Sequence, residues 1–193
     1  RVSSSAASDV YKRQTKNNHQ GIVATISPIS TLDINGLEGK LKNTKSLLIL
    51  VLDGITDTKN FGAIIRSAEC FDVDLIIIPK TGSSPINGET IKSSSGAIFN
   101  IPICKVNHIK DAIFLLKENE INLVGTSDKG LSSLYEHTFN SRTALIIGSE
   151  GQGVNKSVLR LCDQVVNIMM QGKVSSLNVS VATGIFLSEF RRQ

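Results

Sequence analysis

The chain has 193 residues, 40% of them hydrophobic, with three cysteines and no tryptophan. That length suits one domain with a sizeable core, and no apolar run approaches the roughly 20 residues of a membrane-spanning helix. A formal charge of +4, from 21 basic and 17 acidic residues, is too small to point by itself to nucleic acid.

The opening RVSSSAASDVYKRQ (1–14) is polar and lacks the apolar stretch of a signal peptide. It reads as a translated adapter sequence and is set aside; without it the balance is 18 basic to 16 acidic residues, or +2. Residues 15–45 are polar apart from HQGIVA (19–24) and read as a linker or edge segment. Cys70, Cys104 and Cys162 form no close pair, and His19, His108 and His137 are equally scattered. Neither a disulfide framework nor a metal site is expected, and a cytoplasmic protein is the plain reading.

From Ser46 the pattern changes. LLILVLD (47–53) is an unbroken apolar run ending in an acid, as in a strand buried on both faces. A polar loop (54–60) leads to a helix with Phe61, Ile64, Ile65, Ala68 and Phe71 on one face. VDLIIIP (73–79) is a second buried strand, and a Ser/Gly-rich stretch (81–96) separates it from IPICKV (101–106). Ile109, Ala112, Ile113 and Leu116 mark another helix, followed by strand INLVGTS (121–127), a loop (128–141) and strand TALIIGS (143–149). After EGQG (150–153) come a helix bearing Val154, Val158 and Leu161, a short strand VVNIM (165–169), and a last helix over 176–192. Strands alternating with helices predict an α/β domain, a mainly parallel sheet with helices on both faces. Ligands in such sheets gather at the carboxyl ends of the strands.

Three stretches follow strands and so converge at that edge. In DTKNFGAIIRSA (57–68), Asn60 could simply cap its helix and Arg66 could be a solvated surface residue. IIGSEGQG (146–153) has glycines at 148, 151 and 153 that permit a tight turn or close approach to a ligand, but no Walker lysine and no GxGxxG spacing. VSSLNVSVATG (174–184), preceded by IMMQGK, sets Ser175, Ser176 and Asn178 around Leu177 where a helix begins, more polar groups than one cap needs. Glycine turns, apolar walls and few charges suit an adenosine-like ligand better than a bare triphosphate.

At these residues the chain resembles the SpoU group of SPOUT methyltransferases. LDGITDTKNFGAIIRSA, LIIGSEGQGV and NIMMQGKVSSLNVSVATGIFL look like its three signature motifs in order, and SSSGA (93–97), VGTS (124–127) and HQGIVA also fit. The similarity is greatest to the branch that methylates guanosine 2′-hydroxyls in 23S rRNA. The resemblance implies a C-terminal deep trefoil knot within a catalytic domain over 46–193, a homodimer, and an active site shared across its interface. It further implies that residues 15–45 follow an N-terminal RNA-binding domain. S-adenosyl-L-methionine would be the methyl donor and RNA the partner, with no metal and no membrane.

Carried over residue by residue, Gly148, Ile168 and Leu177 match cofactor positions, with Thr126 and Met170 as pocket neighbours. Arg66 matches the essential arginine, which would orient the RNA phosphate and stabilise the developing alkoxide. Asn60, Ser176 and Asn178 would hold the ribose and Arg66, and Glu150 or the phosphate would accept the proton. Thr58 and Met169 stand where the family commonly has proline. A tRNA target, a domain that binds cofactor or RNA without turnover, and a nucleotide-dependent oxidoreductase are the rival readings.

Overall fold

The computed structural model describes residues 27–42, 44–130, 132–174 and 176–193. The adapter-like segment, HQGIVA and Ser175 lie outside them. Seven strands form one sheet: β1 (Leu47–Asp53), β2 (Leu75–Pro79), β3 (Ile103–Val106), β4 (Asn122–Thr126), β5 (Ser132–Ser133), β6 (Arg142–Gly148) and β7 (Gln164–Asn167). Their order is β3-β2-β1-β6-β4-β7-β5 and every pairing is parallel, so the expected mainly parallel sheet is wholly so. The longest ladder joins β1 to β6, from Leu47 opposite Arg142 to Asp53 opposite Gly148. Both strands are buried almost end to end, which is why their sequences show no alternation.

Among the described residues six α-helices accompany the sheet: α1 (Ile34–Leu41), α2 (Thr58–Cys70), α3 (Gly88–Ser93), α4 (Ile109–Glu118), α5 (Lys156–Leu159) and α6 (Val179–Arg192). Alternate residues of the central strands point to opposite faces, and each face has its own core. Leu48, Leu50 and Leu52 pack with Phe61, Ile64 and Ile65 of α2 and Phe186 and Leu187 of α6. Ile49 and Val51 pack with Leu37 and Leu41 of α1, Ile113 and Leu116 of α4 and Val158 of α5. Helices therefore cover both faces, as the alternation of elements predicts.

Several boundaries differ from those read in the sequence. Part of the expected linker is α1, held by an Asp33 cap on the Gly36 N–H and by Leu37 and Leu41 buried against the sheet. Just before it, Leu32 pairs with Cys104 at the outer edge of β3, so the edge reading of this segment holds there. The Ser/Gly-rich stretch contains α3, started by a capping box between Asn87 and Thr90. The loop at 128–141 contains β5. The helix read around Val154–Leu161 shrinks to the four residues of α5, and the last helix starts at Val179 rather than 176 because Asn178 is its cap.

Candidate active site

β1, β6 and β4 are adjacent and parallel, so the segments leaving their carboxyl ends meet at one edge. There the loop after β6, the loop after β4 and the segment between β7 and α6 enclose a cleft of about 1240 Å³. Small-molecule pockets commonly span about 300–1,000 Å³, so a nucleoside-sized ligand fits with room to spare. Thr126, Gly148, Ile168, Met170 and Leu177, the five positions expected to touch the cofactor, all line it. Leu177 is 38% exposed, an apolar side chain left open at the mouth.

Gly148 shows why a side chain is absent from the floor. A Cβ there would lie 1.9 Å from the carbonyl carbon of Gly153 and 2.0 Å from the Val154 nitrogen. The loop folds straight back on the strand, closed by the Gly153 N–H donating to the Ser149 carbonyl at 2.9 Å. Gly151 (φ 84°) and Gly153 (φ 67°) take the left-handed conformations of the turn.

This turn presents Glu150 to the starts of α2 and α6. Its Oε1 accepts from Asn178 Nδ2 at 2.7 Å, Asn60 Nδ2 at 3.2 Å and the Val179 N–H at 3.4 Å. Asn178 Nδ2 also donates to Asn60 Oδ1 at 3.0 Å. Asn178 Oδ1 is used as well, accepting from the Ser180 N–H at 2.9 Å and its hydroxyl at 2.6 Å. The α2 start is fixed separately, because Asp57 takes the Asn60 N–H at 2.7 Å. Asn178 is thus both helix cap and network member, as an amide with two donors and an acceptor allows. Among the described residues Asn60 keeps one N–H and one lone pair uncommitted, and Ser176 lines the cleft.

Arg66 is the exception. It is exposed and takes no part in the cleft lining. It lies six residues beyond Asn60, about 9 Å along α2 and about 240° around it, so the two cannot face the same point. Among the described residues no hydrogen bond joins Arg66 to Asn60, Ser176 or Asn178. The sequence reading also overlooked Asp53, whose carboxylate binds the exit of the Glu150 loop. Its position as the last residue of an apolar strand was the available signal.

The fold and cleft define an α/β protein with an adenosine-sized site at the strand ends, closed by its C-terminal helix. The SpoU rRNA Methylase family matches residues 47–188, and the chain belongs to that family. It is 39% identical over 175 residues to the 23S rRNA (guanosine-2′-O-)-methyltransferase RlmB of Yersinia pestis, covering 91% of this chain and 71% of that protein. It superposes on the SpoU methyltransferase AviRb of Streptomyces viridochromogenes in complex with AdoMet with a TM-score of 0.77. Identity there is 27%, over 86% of this chain and 66% of that one. The TrmH/SpoU tRNA modifying enzyme of A. aeolicus gives a TM-score of 0.71 at 29% identity, over 82% and 81% of the two chains. The seven-stranded sheet is thus the SpoU fold, and the trefoil knot comes with that family.

Proposed function

We infer that this protein transfers a methyl group from S-adenosylmethionine to the 2′-hydroxyl of a guanosine in 23S rRNA. The observation that carries the reading is the Asn60–Glu150–Asn178 cluster at the mouth of a cleft lined by all five expected cofactor positions. The cleft fits that donor, because Gly148 leaves the backbone bare on one side and Ile168 and Leu177 supply apolar surface. Bound there, S-adenosylmethionine supplies an electrophilic methyl on a sulfonium that leaves as a neutral thioether.

The chain's residues have to align the ribose oxygen and stabilise charge as its proton passes to Glu150 or the neighbouring phosphate. Glu150 Oε1, with three donors on it, anchors the two amides. Asn60 and Ser176 have the free hydrogen-bonding capacity to hold the ribose. Arg66 is a poor general base, since a guanidinium keeps its proton. Its role is to neutralise the phosphate and the developing alkoxide.

For Arg66 to do so, it must come from a second subunit. α6 presents Val181, 52% exposed, with Gly184, Ile185 and Ser188 beside Phe71 and Tyr135 in a shallow groove of about 400 Å³. We assign this face, next to α2, to a homodimer contact that brings Arg66 to the partner's cleft. No helix among the described residues is long and apolar enough to cross a membrane, and a cytoplasmic setting goes with a ribosomal RNA substrate.

The test is transfer of labelled methyl from S-adenosylmethionine to a 23S rRNA transcript, with the product mapped by resistance of the 2′-O-methylated linkage to alkali. Label in a single guanosine is expected. Label in tRNA alone would move the target, and folded protein that binds neither S-adenosylmethionine nor S-adenosylhomocysteine in calorimetry would refute the reading.

A further inference from the structure

We propose that Asp53 is a positioning residue for methyl transfer, latching the exit of the Gly148–Val154 loop so that Glu150 meets Asn60 and Asn178. The inference rests on the methyltransferase reading above and adds a residue that touches neither donor nor ribose. Asp53 ends β1 opposite Gly148, and its Oδ2 accepts the Asn155 N–H at 2.8 Å. Asn155 is the first residue beyond the loop, and its side chain caps α5 through the Ser157 N–H at 2.9 Å.

The loop has few other restraints. Between Ser149 and Gly153 it holds itself by one backbone hydrogen bond, and its two left-handed glycines have little intrinsic preference for that shape. Gly148 and Gly153 touch so closely that a small drift of the return limb changes the floor of the cleft. At the far side of Glu150 its partners among the described residues are Asn60, Asn178 and the Val179 N–H, the groups it must organise. Asp53 ties the return limb to the strand that also leads into α2, through Gly54 and the Asp57 cap. One strand end therefore sets the separation between Asn60 and Glu150. Losing the latch leaves the core intact, because Val154 and Val158 remain buried among α4 and sheet residues.

The experiment compares Asp53→Ala and Asp53→Asn with the wild-type enzyme on 23S rRNA, well below their melting temperatures. An amide oxygen can still accept the Asn155 N–H and a methyl cannot. Asp53→Ala should lose about tenfold or more in kcat, short of the roughly hundredfold that a full ångström of misplacement can cost, while Asp53→Asn stays near wild type. Hydrogen exchange at the Asn155 amide should accelerate in the alanine variant only. In single-turnover assays, adding Asp53→Ala to Glu150→Ala should cost nothing further, because both act through one group. Should Asp53→Ala not fold, Asp53→Glu keeps the charge, pushes the limb outward by one methylene and carries the same expected loss. A wild-type kcat in Asp53→Ala, or losses that multiply with those of Glu150→Ala, overturns the proposal. A wild-type enzyme that binds the donor but methylates no RNA would instead refute the function on which it rests.

Discussion

Gly148→Ala tests the cleft floor with one methyl group. The added carbon would lie 1.9 Å from the Gly153 carbonyl carbon, whereas carbon pairs settle at about 3.5–4.0 Å. The return limb must therefore retreat by about 1.5–2 Å, and backbone on the far side gives no flexible side chain to absorb it. Overpacking of this kind costs about 1–3 kcal/mol. At roughly 2–4 °C per kcal/mol for a chain of this size, the melting temperature should fall by several degrees. Function should suffer more, since the limb carries Glu150 out of reach of Asn60 and Asn178. Turnover should drop about a hundredfold, and affinity for S-adenosylhomocysteine about tenfold. Thermal unfolding and calorimetry on the same preparation give both numbers. Gly39→Ala is the control: nothing lies within 4 Å of its Cβ position, and an alanine in α1 should gain about 0.5–1 kcal/mol. A Gly148→Ala protein that melts and binds like wild type would refute the close-approach argument.

Arg66→Ala should leave S-adenosylmethionine affinity unchanged in calorimetry and lower turnover about a hundredfold, the scale of one lost preorganised charge contact. Val181→Lys should give a monomer by light scattering and the same loss of turnover, because Arg66 would no longer reach a partner. Acid stability should depend on Glu189, whose carboxyl is pulled from 4.5 to about 2 chiefly by hydrogen bonds from Arg192 and Gln193. Its contribution is complete above pH 4.5 and disappears as the pH falls through 2, so Glu189→Gln should flatten the thermal profile in that window. Burial pushes the Cys162 thiol in the cleft up to about 11, so at pH 8 it should react with iodoacetamide far more slowly than exposed Cys70. Mass spectrometry should show S-adenosylhomocysteine slowing Cys162 further and leaving Cys70 alone.

What could be read from the sequence follows from what each signal encodes. Buried strands such as LLILVLD announce themselves because parallel pairing between helical layers demands apolar residues on both faces. The face of α2 is equally plain, since Phe61, Ile64, Ile65 and Ala68 recur at helical spacing. By contrast, INGLEGKL carries two glycines in eight residues and reads as coil, yet forms α1 because burial of Leu37 and Leu41 offsets a poor propensity. The five cleft positions were recoverable because the motifs preserve residue type and order. Arg66 was named from the same motif, but motif order alone does not say that it lies outside the cleft lining formed by the other positions. Asp53 was missed because its partner is a backbone N–H 102 residues away, and backbone donors leave no trace in residue identity.

The sheet order also dictates when the cleft can exist. Beside β1, one place belongs to β6, so Ser46 and Ser141, 95 residues apart, must be brought together before the centre of the sheet is complete. Closing so long a separation is slow, and until it happens β1 is an open apolar edge in the emerging chain. α6, whose start supplies Asn178 and Val179 to the mouth, is made after every strand of the sheet. A formed cleft is therefore a report that both halves of the sheet and the start of α6 have come together: a chain stopped short of α6 lacks the mouth of this site.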